Sequence, residues 1–111
     1  MSRSDKTNHI LCIEDDPGAA RLFQRHLERA GYLVDLASDG DEGLRKLASD
    51  TYDVVLVDQV MPGMTGLDVI RSLVDTDALP PTVMVTGAGD EKTAVAALKL
   101  GADDYLVKDV D

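Results

Sequence analysis

Asp58 closes an apolar run, Val54-Val55-Leu56-Val57, and is followed at once by Gln59-Val60-Met61-Pro62-Gly63. Three other apolar runs end in the same manner, on a group able to do chemistry. Ile10-Leu11-Cys12-Ile13 hands over to Glu14, Asp15 and Asp16; Val83-Met84-Val85 hands over to Thr86; Tyr105-Leu106-Val107 hands over to Lys108. If these runs are parallel neighbours, all of these groups meet on one edge of one sheet, outside the strand ends where open α/β sheets hold ligands. That edge combines a carboxylate cluster, a hydroxyl and an ammonium. Three carboxylates on one edge repel, and each raises its neighbours' pKa. A divalent cation relieves the repulsion, and magnesium suits it: a hard ion that takes one or two carboxylates and keeps places for water and phosphate oxygens. A carboxylate can also attack phosphorus, with an ammonium to neutralise charge on the transferring group. Asp58 is the candidate nucleophile, Lys108 the candidate counter-charge, and Thr86 a candidate donor to a phosphoryl oxygen, assisted by N–H groups near Gly87 and Ala88.

Such an edge needs strands and helices in alternation, and the chain supplies them. Asp16-Pro17 is a helix start, an N-cap acceptor followed by proline at the first helical position. From Pro17 to Ala30, residues Ala20, Leu22, Phe23, Leu27 and Ala30 fall near helical spacing, and Gly31 stops that helix. Tyr32–Ala37 reads as a strand, Asp39–Ser49 as a helix with Leu44, Leu47 and Ala48, and Asp53–Asp58 as a buried central strand. Gly66–Val74 reads as a helix with Leu67, Ile70 and Leu73 or Val74 inward. Pro80-Pro81 breaks the chain before a strand at Thr82–Thr86. Asp90–Leu100 reads as a helix that Gly101 stops, and Asp103–Val107 as a last strand. Five strands alternate strictly with four helices, which predicts an α/β doubly wound sheet with right-handed crossovers. No internal repeat, linker or low-complexity segment interrupts it.

The 111 residues suit a single domain. Lys+Arg 11 against Asp+Glu 21 gives a net charge of −10, which argues against direct nucleic-acid binding and favours basic partners. Cys12 is the only cysteine, so no intrachain disulfide can form; mid-strand, it reads as a small core hydrophobe. His9 and His26 have no Cys or His at metal spacing, and His26 reads as solvated. The polar stretch Met1 to Asn8 lacks a signal-peptide core, and no apolar stretch could span a bilayer. These features predict a flexible N-terminus over 1–8, one domain over 9–111 and a cytoplasmic location.

In this order and at these separations, "ILCIEDDP", "VVLVDQVMPGMTG", "VMVTG" and "GADDYLVKD" resemble the CheY-like receiver domain of response regulators in two-component signalling. The resemblance runs from Ile10 to Lys108. It implies a flavodoxin-like, five-stranded parallel sheet of order 2-1-3-4-5. It implies Mg2+ held by Asp15 and Asp58, by Glu14 through water, and by the backbone carbonyl of Val60. It implies phosphorylation of Asp58 by a histidine kinase or a histidine phosphotransfer protein. A switch then acts through Thr86 and Tyr105 on a downstream output domain or protein, with no membrane or nucleic-acid contact of the chain's own. Such a domain is regulatory; it is not an enzyme beyond its own phosphorylation and slow dephosphorylation.

Each of these residues alone has a plainer reading. Asp58 could cap a turn, the acidic triplet could be a solvated loop, Lys108 a surface residue and Thr86 a turn residue; their coincidence overrides those readings. Asp16 fits a helix cap better than a ligand. A haloacid-dehalogenase-like phosphatase also uses a strand-end Asp and magnesium, but needs a second Asp where Val60 stands. A pseudo-receiver that binds partners without phosphorylation is disfavoured by the full acidic, Thr and Lys set. The chain departs from the family in three ways. Asp109 follows Lys108 where a cis proline is usual, and a non-proline cis bond costs about 3 kcal/mol. Val60 and Ala88 are apolar where many relatives are polar. The sequence stops at Asp111, before the family's fifth helix, which predicts an open apolar groove beside the first helix, lined by strands one, three, four and five.

Overall fold

The computed structural model of the chain describes residues 8–108. Five strands alternate with four helices: β1 (His9–Ile13), α1 (Pro17–Arg29), β2 (Leu33–Ala37), α2 (Gly40–Ser49), β3 (Val54–Asp58), α3 (Gly66–Asp75), β4 (Thr82–Thr86), α4 (Glu91–Leu100) and β5 (Asp104–Val107). The strands form one sheet of order β2-β1-β3-β4-β5, parallel at every pairing. The expectations for the N-terminus, for the Lys108–Asp109 bond and for the chain after Lys108 fall on 1–7 and 109–111, outside the described residues.

The helices begin where short polar side chains can take up unpaired N–H groups. Asp16 accepts from the Ala19 N–H, with Pro17 opening α1. Asp39 accepts from the Glu42 N–H to open α2. Thr65 and Asp68 form a reciprocal capping box at α3. Asp90 flanks α4, where its carboxylate accepts from the Thr93 hydroxyl. Tyr32 does not belong to β2. Gly31 turns at a φ of +101° and directs the Tyr32 N–H back to the Leu27 carbonyl, so the residue finishes α1.

Strand pleating splits the apolar residues between two faces. Leu11, Ile13, Val55, Val57 and Met84 face α2, α3 and α4, where they meet Leu44, Leu47, Val69, Ile70, Leu73 and Ala97. Ile10, Cys12, Val34 and Leu56 face α1, where Phe23 and Leu27 cover them. Three helices thus lie on one face and one on the other, as right-handed crossovers in this strand order require. Leu73, not Val74, is the inward residue of α3. Leu22 is 55% exposed on the outer side of α1, contrary to its expected place in the core; Ala20, Phe23 and Leu27 already fill the inward stripe. The opening beside α1 is narrower than expected. Ile10, Cys12 and Leu56 are buried, and the exposed apolar surface falls on Leu106 of β5, 48% exposed.

Candidate functional site

The parallel register brings the strand ends together. Ile13 aligns with Val57, Asp58 with Val85, and Thr86 with Val107. The ladders then run one rung further. Glu14 N–H donates to the Ala37 carbonyl, Gln59 N–H to Val85 and Lys108 N–H to Thr86. Glu14, Asp58, Thr86 and Lys108 are therefore held in place by the backbone ladders themselves.

Glu14, Asp15 and Asp58 each offer a carboxylate oxygen, and these oxygens lie within 4.8 Å of one another. Glu14 and Asp58 are buried, at 3% and 4% exposure. Lys108 Nζ donates to Asp58 Oδ2 at 3.0 Å and lies 3.1 Å from Glu14 Oε1. Its contact with Glu14 is an ion pair without hydrogen-bond alignment, so the buried Oε1 has no hydrogen-bond partner. The other oxygen, Oε2, accepts from the Asp16 N–H. Burial pushes the Glu14 carboxyl above its ordinary pKa; the Asp16 N–H and Lys108 oppose this, while Asp58 adds to it. Burial works against the charge on Lys108, but the bond to Asp58 and the negative charges of Asp58 and Glu14 outweigh it and raise the ammonium pKa.

Three facing carboxylates answered by one ammonium leave an excess of negative charge, and a buried carboxylate oxygen is left without a donor. Both features fit a hard divalent cation. The residues able to hold it are Glu14, Asp15 and Asp58. Asp16 is set apart as the exposed cap of α1. A cavity of about 310 Å³ opens beside Glu14 and Asp15, bordered by Pro17, Ala20, Ser38 and Glu42.

The other expected residues stand at the margin. Thr86 is buried, and its hydroxyl donates to the Leu106 carbonyl at 3.4 Å. Tyr105 is half-buried on the face that α2, α3 and α4 cover. Val60 N–H lies 3.4 Å from Asp58 Oδ1, and the Val60 side chain is 70% exposed. Ala88 is exposed in the loop after β4. Cys12 is buried, and its burial pushes the thiol up to about 12, in keeping with a core role. His26 is exposed, as its place in α1 suggested.

Two arrangements escaped the sequence reading. Gln59 Oε1 accepts from the Leu67 N–H at 2.8 Å, tying the end of β3 to the start of α3; the only signal was a polar residue between Asp58 and Val60. At the opposite edge of the sheet, Asp35 Oδ2 lies 3.0 Å from His9 Nε2 and accepts from the Tyr52 hydroxyl at 2.7 Å. These bonds brace β1, β2 and the segment before β3. They join residues far apart in sequence, and no local pattern announces them.

An open parallel sheet with an acidic edge, and a lysine reaching into it from the last strand, defines a flavodoxin-like domain whose strand ends gather acidic groups able to hold a cation. Residues 10–111 match the response regulator receiver domain family. The chain belongs to that family, whose members are regulatory domains of two-component systems. It is 40% identical over 100 residues to the uncharacterized transcriptional regulatory protein YkoG of Bacillus subtilis, covering 90% of this chain and 44% of the relative. It is 39% identical over 106 residues to the transcriptional regulatory protein ResD of the same organism, covering 94% and 44%. The chain thus spans less than half the length of these curated relatives. Among solved structures, a receiver domain protein from Clostridium thermocellum superposes with a TM-score of 0.86 at 34% identity, covering 94% of this chain and 84% of that one. The response regulator TrrA of Thermotoga maritima, solved in complex with Mg(2+)-BeF, gives 0.83 at 30% identity, covering 95% and 90%. Among the described residues, no helix is long and apolar enough to cross a membrane.

Proposed function

We propose that the chain accepts a phosphoryl group on Asp58 from a phosphohistidine of a histidine kinase or histidine phosphotransfer protein, and that this changes which partners its β4–β5 side binds. The observation that carries the reading is the placement of Lys108 Nζ, 3.0 Å from Asp58 and 3.1 Å from Glu14 within the acidic cluster. A bound Mg2+ would neutralise charge on the incoming phosphoryl oxygens. Asp15 and Asp58 would hold it directly, Glu14 through water, and the Val60 carbonyl would complete the protein's share. That a relative of the same fold was solved with magnesium and beryllofluoride supports this choice of ion.

An Asp58 oxygen attacks phosphorus, a P–O bond forms, and the P–N bond to the donor imidazole breaks. The departing nitrogen keeps the bonding pair, and with the donor ring's other nitrogen carrying a proton the donor leaves as neutral histidine. Lys108 stays near the nucleophile and meets the new negative charge. The Thr86 hydroxyl holds a long 3.4 Å bond to Leu106, and a phosphoryl oxygen is a stronger acceptor. Drawing the hydroxyl to it frees the Leu106 carbonyl and leaves room for Tyr105 to turn inward, shifting a pre-existing equilibrium. The curated relatives are named as transcriptional regulators and are more than twice as long as the matched segment. This supports a receiver that passes its state to an output domain or protein. The test is phosphate incorporation from a small phosphodonor in Mg2+. Asp58→Asn should abolish the acid-labile phosphate, and incorporation that persists in that variant would sink the assignment.

A further inference from the structure

Gln59, the residue after Asp58, makes more bonds than a turn position requires. Its N–H donates to the Val85 carbonyl at 2.9 Å, extending the β3–β4 ladder past Asp58. Its own carbonyl accepts from the Gly66 N–H at 3.1 Å, and its side-chain Oε1 accepts from the Leu67 N–H at 2.8 Å. Gly66 and Leu67 are the first two residues of α3, and their N–H groups have no partner within the helix. Thr65 takes up the next two: its hydroxyl accepts from Asp68 N–H and its carbonyl from Val69 N–H. Among the described residues, the hydrogen bonds that close the loop 60–65 at its base are both made by Gln59, one through its backbone and one through its side chain. The closure is tight, since a Cβ at Gly66 would stand 2.6 Å from the Asp58 carbonyl oxygen.

We propose that Gln59 is a positioning residue for the cation. By holding the start of α3 against the end of β3, its side chain sets the direction in which the chain leaves Asp58. It thereby sets the aim of the Asp58 carboxylate and of the Val60 carbonyl. The proposal rests on the reading of those two groups as ligands. Residues that orient metal ligands without touching the metal typically contribute about 10–100-fold to affinity.

The test measures Mg2+ binding by titration calorimetry on the full chain, as wild type, Gln59→Met and Gln59→Glu. Methionine keeps the length of the side chain but offers the Leu67 N–H no oxygen; glutamate keeps the acceptor. Gln59→Met should bind Mg2+ about tenfold more weakly, while still unfolding in one cooperative transition in chelator. Gln59→Glu should bind at least as tightly as the wild type. Equal binding by Gln59→Met and the wild type would overturn the proposal, as would a Gln59→Glu variant as weak as Gln59→Met. If Gln59→Met does not fold, the wild type decides the matter. Coupling is reciprocal, so saturating Mg2+ should slow hydrogen exchange of the Leu67 amide more than that of Leu98 in α4, and equal slowing at both overturns it. A wild type that binds no Mg2+ would remove the ligand assignment and this inference with it. Binding that Gln59→Met leaves unchanged removes the inference alone.

Discussion

Neutralising Asp58 should stabilise the fold when no divalent cation is present. The Asp58 carboxylate has two like-charged neighbours, Glu14 and Asp15, with oxygens within 4.8 Å, and one opposite charge, Lys108, at 3.0 Å. At an effective dielectric of about 20, a like pair at that separation costs about 3.5 kcal/mol and the lysine pair gains about 5.5 kcal/mol. Two repulsions against one attraction leave the charge unfavourable by about 1–2 kcal/mol. Asp58→Asn removes it and keeps a carbonyl oxygen that can accept from Lys108. In chelator and low salt the variant should therefore melt about 5–10 °C above the wild type, given the usual conversion for a domain of this size. Mg2+ should then raise the wild type by mass action and the variant much less, because one of its ligands has lost its charge. Scanning calorimetry with and without the ion reads both effects. An Asn variant that melts below the wild type in chelator would show that Lys108 outweighs the repulsion, and the account of a cluster held against its own charge would fall.

Hydrolysis of a phosphorylated Asp58 needs a water held in line with phosphorus, and the apolar Val60 and Ala88 cannot orient one. Self-dephosphorylation should therefore be slow, and Val60→Asn with Ala88→Glu should speed the decay of acid-labile phosphate. Ser38 N–H, with the Ser38 hydroxyl and Lys46, holds the Glu42 carboxyl below its ordinary range. A depressed pKa contributes stability that is present above the unfolded value, near 4.5, and is lost as pH falls through the folded one. Glu42→Gln should thus flatten the loss of stability below pH 4.5 in acid titrations followed by circular dichroism. Gly66→Ala would push a methyl group against the backbone at the Asp58 carbonyl, and should cost about 1–3 kcal/mol in denaturant unfolding; a neutral effect would mean that α3 can slide away from β3 freely.

The parts of the site that lie on strand ends were legible in the sequence, for a definite reason. An apolar run fixes where a buried strand stops, and a parallel sheet places all its stops on one edge. Ile13 pairs with Val57, just before Asp58; Asp58 pairs with Val85, just before Thr86; and Thr86 pairs with Val107, just before Lys108, so these groups step along one edge by no more than one rung per strand. The same logic placed Asp16 as a cap, since a short acceptor before proline has one natural use there. Helix faces were less legible. Leu22 has the spacing of a core residue and is exposed, because a stripe can be read at more than one phase when several apolar residues crowd one turn.

Side-chain direction was beyond the reach of pattern. Nothing local says that the Thr86 hydroxyl turns to Leu106, that Lys108 stands between two carboxylates, or that Gln59 reaches eight positions along the chain to cap α3. Each of these contacts depends on which rotamer the neighbouring elements leave open, and those neighbours lie up to 94 positions away, as Glu14 and Lys108 do. Those same side chains decide whether a cluster of acids is an inert edge or a switch. The backbone ladder holds the carboxylates together whatever their charge, whereas Lys108 and Thr86 make contacts that a change of charge at Asp58 can redistribute. A receiver needs both: a sheet edge that does not move, and a few polar side chains whose alternatives lie close in energy.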